Sequence, residues 1–254
     1  MLEVRNLSFR YGNDMILRNI NFCARPGEIT AIIGANGVGK STLLKCIAGL
    51  RKGEGKVSFC GKDRNEMTTE QCSRIVSYLN QNSSCDAELN VYEVILLGLL
   101  NDLKFKVNKD DLEKVERVMK LLSLTPYANR KISALSGGQQ QMVFIAQTLI
   151  KNPQILIMDE PTSALDLNRQ FQLMDLLKRV TQKQKLTTLV TLHHLDITAK
   201  YADQVVVIQD GSVYQCGTPD CVFTPKMLRD VYRVDAEIYC DARGSNHVIA
   251  VDKA

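Results

Sequence analysis

No stretch of this chain comes near the roughly 18 consecutive apolar residues that span a bilayer, so any work at a membrane would go through a partner. No CxxC pair is present. The eight cysteines (Cys23, Cys46, Cys60, Cys72, Cys85, Cys216, Cys221 and Cys240) come no closer than five residues apart, and none sits with histidine at metal-ligand spacing. They read as reduced thiols of a cytosolic protein. Charge of one sign is not in large surplus either. The 32 basic and 28 acidic residues leave a net +4, which predicts neither a nucleic-acid nor a membrane-surface partner. Internal repeats, low-complexity linkers and sustained heptads are all missing. Met1 to Arg10 reads as a strand rather than as a leader with a basic start and an apolar core, so the chain is expected to be soluble.

What is there is an ordinary globular composition, 45% hydrophobic and 24% charged. Its 254 residues suit one α/β domain, 1–254, with room for an inserted subdomain. Leu2, Val4, Phe9 and Tyr11 roughly alternate with polar residues, and Ile16 to Cys23 follows a Gly12-Asn13-Asp14 turn as a hairpin partner. Ile29–Ile33 is a short apolar run ending at glycine, hence a buried strand. A helix is expected from Lys40 to about Gly49, with strands at Val57–Cys60 and Ile75–Leu79. From about 82 to 151 the pattern turns helical, with Asn108 as a cap and Asp110 and Asp111 suited to a positive helix end. That stretch reads as a helical subdomain inserted in the core. Ile155–Met158, Thr187–Leu192 and Val205–Ile208 read as buried parallel strands, and Asp210-Gly211 as a hairpin turn. The tail from about Pro225 carries no legible chemistry.

Between the Ile29–Ile33 strand and its following helix lies Gly34-Ala35-Asn36-Gly37-Val38-Gly39-Lys40-Ser41, with Thr42 next. It matches GxxxxGK[ST] at every fixed position, in the strand-then-helix context the motif requires. Glycines let backbone N–H groups turn toward phosphate oxygens, and the helix N-terminus adds positive partial charge. Lys40 would reach the β- and γ-phosphates of a nucleotide and Ser41 would hold Mg2+. The motif alone says only nucleotide, since kinases, GTPases and helicases share it. The apolar strand Ile155–Met158 ends in Asp159-Glu160. Asp159 is placed to order Mg2+, and Glu160 is the candidate base for an attacking water.

Leu135-Ser136-Gly137-Gly138-Gln139, twenty residues before Ile155, resembles the signature of the ABC transporter ATPases. The resemblance runs from Tyr11 to about Gly217, with each element in family order. It implies the ABC cassette fold: a P-loop core of mainly parallel sheet, an N-terminal antiparallel β subdomain and an inserted helical subdomain. It also implies that Tyr11 stacks on adenine and that Gln81, as the Q-loop glutamine, reaches Mg2+ or water. His193, rather than its neighbour His194, would contact the γ-phosphate. Asp166 closes the D-loop Ser163–Asp166. Ser136, Gly137, Gly138 and Gln139 would complete the ATP site of a second copy, giving a homodimer with two sandwiched ATP molecules. The chain departs from the family where arginines are common, carrying Gln140, Met142 and Gln147, and Leu99 after Gly98.

Three segments, Asn90–Gly98, Thr191–Asp196 and Val231–Ala236, resemble the importers of iron–siderophore, haem and cobalamin. The implied setting is a separate integral-membrane permease on the cytoplasmic face of the inner (plasma) membrane. A substrate-binding protein would be met only indirectly. Molybdate or tungstate importers, an exporter ATPase, or a soluble ABC protein of ribosomes or DNA repair are the alternatives.

Overall fold

A computed structural model describes residues 1–81, 88–99, 107–240 and 246–253 of the chain. It opens on an antiparallel hairpin, β1 (Leu2–Tyr11) and β2 (Asp14–Ala24). β3 (Ile29–Ile33) leads through the glycine-rich loop into α1 (Lys40–Ile47). β4 (Glu54–Phe59) returns to pair with β1, and β5 (Lys62–Asp63) completes a four-stranded antiparallel sheet in the order β2-β1-β4-β5. Then come α2 (Thr69–Ile75) and β6 (Val76–Leu79).

A helical stretch follows, with α3 (Val91–Leu96), α4 (Lys109–Leu121) and α5 (Gly137–Leu149). Asn90, Asn108 and Ser136 each cap one of them, and in each case the third helical residue bonds back to the cap's N–H. β7 (Ile155–Met158), α6 (Leu167–Gln184), β8 (Thr187–Thr191), α7 (Leu195–Tyr201) and β9 (Gln204–Gln209) return the chain to the core. β10 (Ser212–Gly217) turns back from β9 through Asp210-Gly211, both at positive φ. α8 (Pro219–Val222), α9 (Pro225–Tyr232) and the hairpin β11 (Val234–Cys240) and β12 (Asn246–Lys253) end the chain as described.

The central sheet has six strands in the order β10-β9-β3-β8-β7-β6, parallel throughout except for β10. Because successive strand residues point to opposite faces, these apolar strands feed two cores. Ile32, Ile157, Leu189, Val206 and Ile208 face the antiparallel sheet and α1, meeting Leu17, Ile20, Leu43 and Leu44. Ala31, Ile33, Leu156, Met158, Val190, Val205 and Val207 face the other side, against Val143, Leu173, Leu177 and Met227. Burial on both faces explains why the strands read as unbroken apolar runs. Truncating the fully buried Ile157 to alanine should cost about 2–5 kcal/mol.

Some boundaries differ from expectation. Ile75 closes α2 rather than opening a strand, because Thr68 and Gln71 form a capping box and draw the segment into a helix. Cys60 falls beyond β4, at φ 50, in the turn to β5. The tail is structured, through α9 and the β11–β12 hairpin. Of the expected inserted segment 82–151, residues 82–87 and 100–106 lie outside the described residues, as does Cys85.

Candidate nucleotide site

The five parallel strands end on the same side of the sheet, and four of them lead into the expected site residues. β3 delivers the glycine-rich loop, β6 delivers Gln81, β7 delivers Asp159 and Glu160, and β8 delivers His193. Open parallel sheets bind ligands at this end. The result is a cleft of ≈ 400 Å³ lined by Tyr11, Ile16, Asn36, Gly37, Gly39, Lys40, Ser41, Thr42, Gln81, Glu160 and His193.

The loop's shape depends on glycine at two points. Gly34 sits at φ +149, where a Cβ would lie 2.3 Å from the Ile208 carbonyl oxygen. Gly39, at φ +104, caps α1 against Ile16, with no side-chain bond at the cap. The α1 N-terminus therefore presents bare N–H groups to the cleft. Gly34, Ala35 and Val38 shape the loop without lining the cleft. The Lys40 ammonium donates to the Gly34 and Ala35 carbonyls at 2.7 and 2.9 Å. Burial pulls its titration below the usual lysine range, and the Glu160 and Asp159 carboxylates pull it partly back.

Against Ser41 lies a carboxylate with one oxygen engaged and one not. Asp159 is 1% exposed. Its Oδ1 accepts from Ser41 Oγ at 3.1 Å and Thr191 Oγ1 at 2.8 Å. Its Oδ2 is buried with no hydrogen-bond partner. The Tyr78 hydroxyl is buried near it without a well-formed bond. Burial first, and the Asp159 carboxylate second, push that phenol's titration well up. An orphaned carboxylate oxygen beside a serine hydroxyl is a donor set that suits a hard divalent cation.

Glu160 occupies a left-handed backbone conformation, φ 49, which costs energy for a side chain other than glycine. Its N–H donates to Thr191 Oγ1 at 2.8 Å, which holds the backbone in place. The carboxylate, only 13% exposed, is gripped from two sides. Gln81 Nε2 donates to Oε2 at 2.6 Å, and His193 Nε2 lies 2.5 Å from Oε1. A carboxylate can accept about four bonds, so both oxygens keep capacity for a water.

The signature residues lie apart from this cleft. Ser136 and Gln139 close a capping box on α5, Oγ accepting from the Gln139 N–H at 3.4 Å and Oε1 accepting from the Ser136 N–H at 3.0 Å. Gly138 packs against Ala164 and Leu165, whereas a Cβ on Gly137 would meet nothing within 4 Å. Asp166 caps α6 through the Arg169 N–H at 2.9 Å. His194 starts α7 and does not line the cleft. Gln140 and Gln147 turn inward, donating to the Ile132 and Leu135 carbonyls and to Val94, which ties α5 to its neighbours.

Sequence reasoning missed three contributors: Thr191, which joins Asp159 to Glu160; Tyr78, beside Asp159; and Ile16, in the cleft wall. Thr191 was hidden within a β-branched run that reads simply as strand.

Comparison with known proteins places this geometry. Residues 17–163 match the family model for the ABC transporter. The petrobactin import ATP-binding protein of Bacillus anthracis is 36% identical over 244 residues, covering 94% of this chain and 89% of that one. The hemin import ATP-binding protein of Shewanella denitrificans is 34% identical, covering 93% and 95%. A structure described as an inward-facing conformation of a metal-chelate type ABC transporter superposes with TM-score 0.85 at 25% identity, covering 98% of this chain and 96% of that one. An ATP-binding cassette solved as a dimer in a post-hydrolysis state with ADP and phosphate gives 0.78 at 28% identity, covering 86% and 99%. Among the described residues no helix is long and apolar enough to cross a membrane. The chain belongs to the ABC transporter family and is one of its ATP-hydrolysing, ATP-binding proteins.

Proposed function

We propose that this chain is the energy-coupling subunit of an importer for metal chelates of the iron–siderophore, haem or cobalamin type. It acts as a homodimer on integral-membrane permease subunits at the cytoplasmic face of the inner membrane, and a substrate-binding protein is met only through that permease. The names of the petrobactin and hemin relatives support the cargo class, and the metal-chelate structure supports the setting. In the same reading the helical stretch holding α3, α4 and α5 meets the permease, through the segment Asn90–Gly98.

One observation carries the chemistry: Glu160 stands at the cleft between Gln81 and His193, next to the buried lysine of the cradle. In this reading Lys40 leaves its two carbonyls for the outer phosphates of ATP. The N–H groups of Gly37 to Thr42 surround those phosphates, and Tyr11 stacks on the base. Asp159, Ser41 and Gln81 would hold Mg2+, which neutralises phosphate charge when bound. Glu160 accepts a proton from water as its oxygen attacks the γ-phosphorus and the bond to the β-bridging oxygen breaks. His193 donates toward the γ-phosphate. Ser136, Gly137, Gly138 and Gln139 of a second copy cover the γ-phosphate from the far side, with Asp166 at the seam.

The test is uptake of labelled ferric siderophore, haem, cobalamin and molybdate in cells carrying the wild-type chain or Lys40→Ala. Loss of a single metal chelate is the expected result. Loss of molybdate alone would reassign the cargo, and no loss for any compound would contradict the importer reading.

A further inference from the structure

Half-exposed Tyr11 has Phe9 and Arg51 as side-chain neighbours. Its ring is held edge-on by Phe9, with centroids 4.8 Å apart and planes at 84°. The guanidinium carbon of Arg51 lies 5.9 Å from the centre of the same ring. Arg51 follows α1 after Leu50 and is exposed. Its backbone N–H bonds to the Lys45 carbonyl at 3.2 Å, which fixes where the side chain starts. Among the described residues no carboxylate pairs with its guanidinium. A cation over the face of an exposed tyrosine, with no anion to hold it, is available for another planar partner.

We infer that Arg51 is the second half of a base clamp, with the nucleotide's adenine ring held between the Tyr11 ring and the Arg51 guanidinium. This rests on the reading that Tyr11 faces the base. Stacked planes touch at about 3.5 Å, so a base between two planes needs about 7 Å between them. The guanidinium carbon lies 5.9 Å from the ring centre, closer than a base between the two groups allows, so the arginine swings outward to admit one. Only Arg51 needs to move, because Phe9 fixes the tyrosine. Its long side chain rotates freely in solvent, so the opening costs little. The guanidinium is planar, and it meets the electron-rich face of a purine as it meets that of tyrosine. Arg51 acts as a positioning residue for the base and has no part in the bond-breaking step.

The proposal separates the base from the phosphates, and the experiment uses that separation. ATP and inorganic tripolyphosphate are titrated into the full chain, into Arg51→Ala, Tyr11→Ala and the double variant. Arg51→Ala should weaken ATP by about threefold to tenfold and leave tripolyphosphate unchanged. The two single effects should add to more than the double variant shows, because the clamp needs both planes. In the wild-type chain, ATP should also slow phenylglyoxal modification of Arg51, read by peptide mass spectrometry, and tripolyphosphate should not. Equal weakening of both ligands by Arg51→Ala would overturn the clamp. So would ATP leaving the modification rate of Arg51 unchanged, which would put the guanidinium on the far face of Tyr11. If Tyr11→Ala leaves ATP affinity untouched, the base site itself is misplaced and the clamp falls with it. If only Arg51→Ala is silent, Tyr11 keeps its role and the clamp alone is wrong.

Discussion

The strand-end cleft and the start of α5 are built from the same materials, glycines at a helix N-terminus, yet they stand in opposite states. In the cleft, α1 starts at a glycine with no capping side chain, a lysine is folded onto loop carbonyls, and an Asp159 oxygen is buried without a partner. These groups are arranged to take a phosphate and a divalent cation. At α5 the N-terminus is closed by its own Ser136–Gln139 capping box, while Gly137 faces open space. The first region is assembled by one chain from four strand ends. The second closes its own cap, and none of its residues lines the same chain's cleft. The contrast teaches that a helix start which already caps itself can be a finished structural element and still, under the composite site proposed above, serve as half of a site whose other half lies in a second copy.

Substitutions can break this contrast at either pole. The largest effect belongs to the cleft. Glu160→Gln keeps the donors' company but removes the base, so turnover should fall by about 10²–10⁴-fold with ATP still bound. Steady-state phosphate release together with nucleotide binding checks this, and unchanged turnover would remove Glu160 from the chemistry. Lys40→Ala should weaken ATP binding by roughly 10- to 150-fold, from the loss of a charge-assisted bond. Titration with a fluorescent ATP analogue reads it, and wild-type affinity would show that the cradle is misassigned.

Thr191→Val strips the hydroxyl that joins Asp159 to the Glu160 N–H. It should cost about 1–3 kcal/mol in urea denaturation, because it leaves buried polar groups unpaired, and it should also slow turnover by loosening Glu160. A stability loss with full turnover would mean that the φ 49 conformation of Glu160 does not depend on that bond. The smallest effect lies at α5. Ser136→Ala should lower stability by about 1 kcal/mol through loss of the cap.

Much of this was legible from residues alone. The glycine-rich loop, the Asp159-Glu160 strand end, the signature and three buried parallel strands sit where their patterns place them, because burial on both faces leaves a continuous apolar run and glycine punctuation is local. α2 went unread even though Thr68 and Gln71 spell a capping box, since the β-branched and apolar run from Ile75 pulled the reading toward strand. In the tail, Thr224 and Pro225 start a helix, a local cap signal with no long apolar run beside it to mark an element. The hairpin after it is pinned to the core by the Val248 N–H on Asp196, a contact 52 residues apart that no local pattern encodes. The same holds within the site. That Gln81 and His193 both bond to Glu160 follows from strand order, and strand order is set by tertiary packing rather than by any window of sequence.

A mixing experiment decides whether the cleft and the signature belong to one site in two chains. Gly137→Glu places a negative side chain into open space, so the chain should fold, but its signature face should repel phosphate. Lys40→Ala disables the cleft and leaves the signature intact. Each variant alone should hydrolyse almost no ATP. Mixed, they should regain turnover, because a mixed dimer contains one intact cleft facing one intact signature. If the mixture stays as inactive as its parts while both chains remain folded, the composite site is wrong.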